Sequence, residues 1–230
     1  FSMSRSFKGL VLMSGSLSSE VDSMESRQAP CCSQADSPAL DSGYWQNRYD
    51  QGQTGWDRGE PSPALQYWLE SGQLQPCRIL VPGCGRGHEV IELAAAGFEV
   101  TAIDFAPAAI AALRTQLEGR ELDASLIQAD LFDYRPDQSF DAIYEQTCLC
   151  AIQPNQRVAY EARLANWLQP GGKLYALFMQ TESNSGPPFA CPPAAMQGLF
   201  PADRWRWPAA LEPIAHPAQL VELAGVLERV

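Results

Sequence analysis

The segment at residues 78–104 constrains the fold of this chain more than any other part of the sequence. It begins with a short apolar run at residues 79–81, then a glycine-rich turn, then apolar residues at helical spacing that end at Gly97. A second apolar run at residues 98–103 leads to Asp104. Because glycine commonly ends a helix, this order predicts a strand, a helix and a second strand, which together form one βαβ unit.

The turn and the carboxylate in this unit indicate a nucleoside ligand. Gly83, Gly85 and Gly87 allow a tight turn and a close approach of the ligand, and Asp104 can accept hydrogen bonds from both hydroxyls of a ribose. A dinucleotide-binding turn has glycine at its first, third and sixth positions, whereas the sixth position counted from Gly83 is His88. We therefore expect an adenosine-containing cofactor other than a dinucleotide.

The sequence Val-Pro-Gly-Cys-Gly at residues 81–85 resembles the first motif of class I S-adenosylmethionine-dependent methyltransferases. Most of that class has an acidic residue where Val81 stands, and the variant seen here is similar to the thiopurine S-methyltransferase superfamily, which includes halide/thiol methyltransferases. Other segments follow in the family order, so that the resemblance covers roughly residues 44–230. In chain order they are an aromatic segment with Trp45, Thr54, Trp56, Asp57, Gly59 and Pro61, the single residues Asp104 and Asp130, and the segments at residues 151–154 and 186–189.

The resemblance implies a doubly wound, Rossmann-like α/β fold with a seven-stranded, mostly parallel sheet and an antiparallel C-terminal strand. The alternation of strand and helix patterns along the chain favours the same class. The implied cofactor is S-adenosyl-L-methionine, with S-adenosyl-L-homocysteine as its product, and no metal. The residues expected to bind the cofactor are Trp45, Trp56, Gly83, Cys84, Gly85, Gly87, Asp104, Phe105, Asp130, Leu131, Phe132 and Glu145.

The remaining elements are predicted from local patterns. Residues 41–61 are expected to form a lid, with a short helix at 41–50 and a loop that carries Trp56 among polar residues. Helices are expected at 63–71 and 107–117, and a third is expected to begin at Asn155, with Val158, Leu164 and Leu168 facing inward. Further strands are predicted at 124–128, 140–144, 173–179 and 204–207, and a return strand at 218–230.

The acceptor side of the site is predicted from the segment after the fourth strand. Thiopurine enzymes carry Asp-Arg at that point, whereas this chain has Glu145-Gln146, so it resembles the halide/thiol branch more closely. Glu145 is expected to act as a positioning residue or a base. The walls of the acceptor pocket are expected to come from Gln146, Cys148, Cys150, Pro188 and Phe189.

The predicted reaction is methyl transfer to a small thiol or another soft anion by direct in-line displacement. The sulfonium donor is already activated, and a thiol with a pKa of about 8.5 is partly ionised at neutral pH, so a strong base is not required. Three alternatives stay open: a thiopurine-type S-methyltransferase, an O- or N-methyltransferase that uses Glu145 as base, and a cofactor-binding module without catalysis.

Composition limits the partners of this protein. The 230 residues carry a net charge of −11 with only 16 lysines and arginines, so we expect no nucleic-acid partner. No apolar run approaches the length of a membrane span. We expect residues 1–40 to be a disordered or vector-derived tail, and 41–230 to be one methyltransferase domain. The seven scattered cysteines lack zinc-ligand spacing, which favours a reduced, cytoplasmic protein, and a monomer acting on a small molecule is expected.

Overall fold

The computed structural model describes residues 39–183 and 185–230, so the predicted N-terminal tail lies almost entirely outside the described residues. Helices and strands alternate through most of this part of the chain. In chain order they are α1 Ser42–Asp50, α2 Pro63–Glu70, β1 Arg78–Pro82, α3 His88–Ala95, β2 Glu99–Asp104, α4 Pro107–Glu118, β3 Ser125–Gln128, β4 Phe140–Gln146, a short 3-10 helix Pro154–Gln156, α5 Arg157–Trp167, β5 Leu168–Gln180, α6 Pro193–Leu199, β6 Trp205–Arg206, β7 Glu212–His216 and β8 Leu220–Arg229.

One sheet runs through the described residues in the order β3-β2-β1-β4-β5-β8-β6, and β7 pairs with β8 as well. Strands β1 to β5 are mutually parallel, whereas β8 is antiparallel to β5. The order reverses at β1, next to β4, which leaves a crevice at the carboxyl ends of these strands. The predicted doubly wound α/β class with an antiparallel C-terminal strand is confirmed.

The sheet has eight strands instead of the predicted seven, because two short strands share the position beyond β8. Strand β7 pairs with residues 220–224 of β8, whereas β6 pairs with residues 228–229. Between them Gly225 lets the chain before β7 cross closely, since a Cβ atom at Gly225 would lie 2.3 Å from Leu211 Cδ2. The edge of the sheet is therefore split in two, and the layer arrangement is unchanged.

The two faces of the sheet bury separate apolar layers, because successive side chains of a strand point to opposite sides. Ile79 and Val81 of β1 pack in one layer with residues of α2, α3 and α4, and Leu80 packs in the other layer with residues of α5. Helices therefore cover both faces. No helix among residues 39–183 and 185–230 is long and apolar enough to cross a membrane.

The prediction for the fifth helix is partly wrong. The helix begins at Arg157, after the short 3-10 helix, and its inward positions include Arg157, Tyr160, Leu164 and Trp167. This phase places Val158 on the outer surface, where it is 71% exposed. Leu168 is buried as expected, but as the first residue of β5, because the chain becomes extended there.

Two irregular segments also differ from expectation. Residues 169–172, which precede the strand predicted at 173–179, lie within β5, where the pairing with β4 shifts register and Gly171 has a φ of +77°. Residues 193–199, for which the sequence patterns predict no helix, form α6 with Pro193 in its first turn. Proline is tolerated there because the first helical N–H groups have no intrahelical acceptor.

Candidate active site

A cavity of about 1070 Å³ opens at the carboxyl ends of the parallel strands. Its walls come from the glycine turn after β1, from the segments that follow β2, β3 and β4, and from the lid that precedes α2. This is the place where open α/β sheets bind their ligands. The predicted site residues found in the wall are Trp45, Trp56, Gly83, Cys84, Gly85, Gly87, Asp104, Phe105, Asp130, Leu131, Phe132, Gln146, Cys148, Cys150 and Pro188.

The glycine turn is shaped to bring its backbone against a ligand. Gly83 and Gly85 have φ angles of +60° and +54°, which residues with a side chain rarely adopt. A Cβ atom at Gly83 would lie 2.8 Å from Cys148 Sγ, and one at Gly85 would lie 3.2 Å from the hydroxyl oxygen of Tyr49. The space beside this turn is thus available only because both residues are glycine, which fits a cofactor held close to the main chain.

Asp104 holds the glycine turn in place. Its Oδ2 accepts a hydrogen bond from the Gly85 N–H at 2.9 Å, and its Oδ1 accepts one from the Ala106 N–H at 2.9 Å. Burial raises the pKa of the Asp104 carboxyl, and the N–H groups of Ala106 and Gly85 offset part of that rise. Each carboxylate oxygen has a further lone pair, so the group can also accept hydrogen bonds from a ligand in the cavity.

The predicted adenine-contacting residues lie together in the wall after β3. Asp130 Oδ1 accepts a hydrogen bond from the Phe132 N–H at 2.8 Å, which fixes the turn that carries Leu131 and Phe132. Phe105, which follows β2, also lines the cavity. The structure therefore brings one exposed carboxylate and three apolar side chains to one side of the cavity.

The lid packs as an aromatic cluster above the cavity. The rings of Trp45 and Trp56 meet edge to face with centroids 5.3 Å apart, and the Tyr49 ring meets Trp56 at 5.7 Å. The guanidinium of Arg48 lies 5.7 Å from the Trp56 ring centroid. Two neighbouring tryptophan rings thus face the space where a positively charged ligand can be attracted to their π-systems.

Polar contacts fasten both ends of the lid. At α1, the Ser42 hydroxyl donates to the Phe105 carbonyl at 2.9 Å. In the loop, Asp57 Oδ1 lies 2.8 Å from His88 Nε2, and Asp57 Oδ2 pairs with Arg86 Nε at 3.1 Å. These contacts join residues 41–61 to the chain around the glycine turn and to the end of β2.

Glu145 is not in the cavity wall. Its side chain is 1% exposed, and its Oε1 accepts a hydrogen bond of 2.6 Å from the Leu149 N–H. Burial raises the pKa of the Glu145 carboxyl to about 8, with the Leu149 N–H opposing this rise. Neighbouring residues of a strand face opposite sides of a sheet, so Gln146 reaches the cavity and Glu145 lies behind it. This position suits ordering of the segment after β4.

The acceptor side of the cavity is mostly apolar. Cys148, Cys150 and Pro188 lie in its wall, and burial raises the pKa of both thiols well above the usual value. Phe189 is absent from the wall, because its ring packs over Gly186 and lies 6.0 Å from the Arg157 guanidinium. All five cysteines in residues 39–183 and 185–230 are free thiols.

Several wall residues were not predicted from the sequence. Tyr144 precedes Glu145 on β4, and His216 and Leu220 stand at the two ends of the turn between β7 and β8. His216 Nδ1 accepts a hydrogen bond from the Ala218 N–H at 3.2 Å, and burial lowers the pKa of the imidazole. Alternation along β4 could have identified Tyr144, since it lies two residues before Gln146, whereas no local pattern marks the hairpin.

The sequence matches the thiopurine S-methyltransferase family over residues 40–212. The chain belongs to this family. Its members include a probable thiol methyltransferase 2 of Arabidopsis thaliana, which is 34% identical over 153 residues, covering 64% of this chain and 67% of the relative. Thiocyanate methyltransferase 1 of Brassica oleracea is 31% identical and covers 65% of this chain and 68% of the relative. A thiopurine S-methyltransferase of Vibrio cholerae is 27% identical, covering 68% of this chain and 79% of the relative.

Solved structures share the fold. The N-methyltransferase NodS of Bradyrhizobium japonicum, in complex with S-adenosyl-L-homocysteine, has a TM-score of 0.67 and 17% identity, covering 82% of this chain and 99% of that one. A didemethyltoxoflavin N1-methyltransferase of Burkholderia thailandensis, with S-adenosylhomocysteine bound, has a TM-score of 0.66 and 18% identity, covering 84% and 88%.

Membership of the thiopurine S-methyltransferase family confirms the family and enzyme class predicted from the sequence: an S-adenosylmethionine-dependent methyltransferase. Binding of the cofactor at the glycine turn and the two strand-end carboxylates stays a prediction.

Proposed function

We propose that this member of the family transfers a methyl group from S-adenosyl-L-methionine to a small thiol or another soft anion. The observation that carries the proposal is the acceptor side of the cavity, where Gln146 presents a neutral amide among Cys148, Cys150 and Pro188. Family members named for thiol and thiocyanate methylation, at 34% and 31% identity, support the same acceptor class.

The cofactor would be held by the glycine turn and the two strand-end carboxylates. The Gly83 and Gly85 backbone would contact it closely, Asp104 would accept from the ribose hydroxyls, and Asp130 would accept from the adenine amino group. When bound, the cofactor supplies an activated methyl group on a sulfonium sulfur. Trp45 and Trp56 would attract that positive charge and exclude water from the reacting atoms.

The acceptor needs alignment more than it needs a base. A thiol of pKa about 8.5 is partly ionised at neutral pH, and apolar walls remove its hydration shell. Cys148 and Cys150 remain protonated because burial raises the pKa of both thiols, so they act as walls and not as nucleophiles. Glu145 orders the segment that carries these walls through its hydrogen bond to Leu149.

An acceptor panel tests this proposal. We expect kcat/KM for an aliphatic thiol, hydrosulfide or iodide to exceed that for a thiopurine by about tenfold or more, since Gln146 offers no positive charge to a larger anion. A catechol should be a poor substrate, because its hydroxyl needs a firmer base than this wall provides. The measurement is product formation with labelled S-adenosyl-L-methionine at matched acceptor concentrations.

Two results would reassign the activity. If the catechol or an amine gives the highest kcat/KM, the chain is an O- or N-methyltransferase. If only the thiopurine turns over, it is a thiopurine-type S-methyltransferase. A cofactor that binds without turnover of any acceptor would indicate a non-catalytic module.

The lid makes a second prediction. We expect hydrogen exchange across residues 44–59 to slow when S-adenosyl-L-homocysteine is added, because Gly52, Gly55 and Gly59 allow the backbone of this segment to change conformation. Helix α5, which packs on the other face of the sheet, should exchange equally with and without ligand and is the internal control. Equal exchange in the lid under both conditions would show that these residues do not close over the cofactor.

We propose further that the chain acts as a cytoplasmic monomer on a small molecule, without a nucleic-acid partner. The free thiols Cys77, Cys84, Cys148, Cys150 and Cys191 support a reducing compartment, and the net charge of −11 argues against a polyanionic partner. We assign the catalytic domain to residues 41–230, with the lid at 41–61.

A further inference from the structure

The amide of Gln146 is held at both ends by buried groups. The Tyr144 hydroxyl donates to Gln146 Oε1 at 2.7 Å, and Gln146 Nε2 donates to Glu222 Oε2 at 3.1 Å. A terminal amide torsion has broad, roughly two-fold preferences, so these two partners decide which end of the group faces which way. An amide NH₂ carries two donors, which leaves one N–H of Gln146 for a ligand in the cavity.

Glu222 also reaches the lid. Its Oε2 lies 3.4 Å from Arg58 Nη1, and Arg58 Nη2 donates to the Ala215 carbonyl at 2.8 Å. The side chain of Glu222 is fully buried and that of Arg58 is 9% exposed, so water screens this ion pair little. Glu222 Oε1 has no hydrogen-bond partner among the described residues. One carboxylate oxygen therefore joins a wall residue of the acceptor pocket to the lid loop two residues after Trp56.

We propose that Glu222 is a positioning residue, which holds the Gln146 amide toward the methyl acceptor and links it to the closed lid through Arg58. Glu222 lies on β8, outside the residues 40–212 that match the family. This inference rests on the proposed function, because it concerns the acceptor side of the same cavity. If Glu222 acts in this way, recognition of the acceptor depends on closure of the lid.

The test replaces Glu222 by glutamine, which keeps the size of the side chain and removes the charge that the carboxylate carries above its pKa of about 7. Glutamine can turn an N–H toward Gln146 as readily as an oxygen, so the wall amide keeps only the Tyr144 hydroxyl as a fixed partner and Arg58 loses its counter-charge. We expect KM for an aliphatic thiol to rise roughly tenfold, the scale of one hydrogen bond to a charged group, with kcat changed less than about threefold. Binding of S-adenosyl-L-homocysteine, measured by calorimetry, should change less than about threefold, since Gly83, Gly85 and Asp104 are untouched.

The matched control is Glu228→Gln. Glu228 also lies on β8 and pairs with Arg206 at 2.6 Å, but at the exposed edge of the sheet. This variant should keep the KM of the parent. An equal rise in KM in both variants would attribute the effect to the strand and overturn the proposal.

A double variant separates positioning from general loosening. If Glu222 acts through Gln146, Glu222→Gln should add nothing to the KM of Gln146→Met, whereas multiplicative effects would contradict the link. The link to the lid can be tested without a substrate. Backbone amides of residues 54–60 should exchange hydrogen faster in Glu222→Gln than in the parent. Unchanged exchange in this segment would overturn the proposed link between Glu222 and Arg58. A parent protein that methylates none of the acceptors would contradict the proposed function, and the exchange result can be interpreted independently of that outcome.

Discussion

Gly83→Ala is expected to weaken the binding of S-adenosyl-L-homocysteine by about 30- to 1000-fold, or about 2–4 kcal/mol. Gly83 has a φ of +60°, and an added Cβ atom would lie 2.8 Å from Cys148 Sγ and 3.0 Å from Cys148 Cβ. Rotation of the Cys148 thiol does not relieve this overlap, because the Cβ atom of Cys148 is itself only 3.0 Å away. We expect the turn or Cys148 to shift into the cavity that both residues line, which reduces the space for the cofactor. Calorimetric titration of the purified variant measures the loss.

Gly97→Ala provides the matched control for that measurement. Gly97 follows α3 with a φ of +87°, but nothing lies within 4 Å of the Cβ position there. The alanine should cost about 1 kcal/mol of stability through backbone strain alone and leave the affinity for the cofactor product unchanged. If Gly83→Ala binds the product as tightly as the parent, the glycine turn does not hold the cofactor and the assignment of this wall fails.

The cofactor half of the cavity was predictable because its chemistry lies on consecutive residues. The glycine spacing, the strand that ends at Asp104 and the turn at Asp130 are local patterns, and a parallel sheet brings strand ends to one edge. The same holds for the lid, where Trp56 stands alone among polar neighbours. The structure places all of these residues around one cavity.

The acceptor half was less predictable because it depends on pairings between distant strands. Glu222 comes within 3.1 Å of Gln146, 76 residues earlier in the chain, only because β8 runs antiparallel to β5 in a particular register. No local pattern in residues 211–230 specifies that register. Phe189 shows a second limit of prediction from sequence. Its neighbours Pro187 and Pro188 line the cavity, whereas its own ring packs on Gly186 and is not part of the wall.

Glu145 could have been placed by alternation alone. Side chains at successive strand positions face opposite layers, and the hydrogen bond between Tyr144 and Gln146 shows that these two share the cavity side. Glu145 must then face the layer of α5, where Tyr160 and Leu164 are buried. The role predicted for Glu145 from family position, as a cofactor contact and as a positioning residue or base, stays a prediction, and its side chain is not among those that line the cavity.

A carboxyl group in that layer gives the protein a pH-dependent stability. The pKa of Glu145 is raised from 4.5 to about 8, chiefly by burial. Between these values the unfolded chain has released the proton that the folded chain retains, so the folded state binds more protons and its stability falls as pH rises. The contribution is fully favourable below pH 4.5 and is lost progressively as pH approaches 8.

Glu145→Gln should remove this dependence. The glutamine is neutral at every pH and keeps an oxygen for the Leu149 N–H, so the hydrogen bond of the parent is retained. Relative to the parent, the variant should gain on the order of 3 kcal/mol in free energy of unfolding between pH 5 and pH 8. Glu222, with a pKa raised to about 7, is present in both proteins, and its charge is one of the causes that raise the pKa of Glu145. Urea unfolding at the two pH values measures the effect.

The same variant decides what Glu145 does in the reaction. Glu118→Gln, at the exposed end of α4, is the control and should follow the parent at both pH values. If Glu145 only orders the segment after β4, the glutamine variant keeps turnover with a thiol within about threefold of the parent, because the hydrogen bond to Leu149 remains. A loss of 100-fold or more, on the scale of a missing general base, would show that the carboxyl takes part in proton transfer despite lying behind the wall. Equal loss of stability with pH in parent and variant would instead show that Glu145 is ionised in the folded protein.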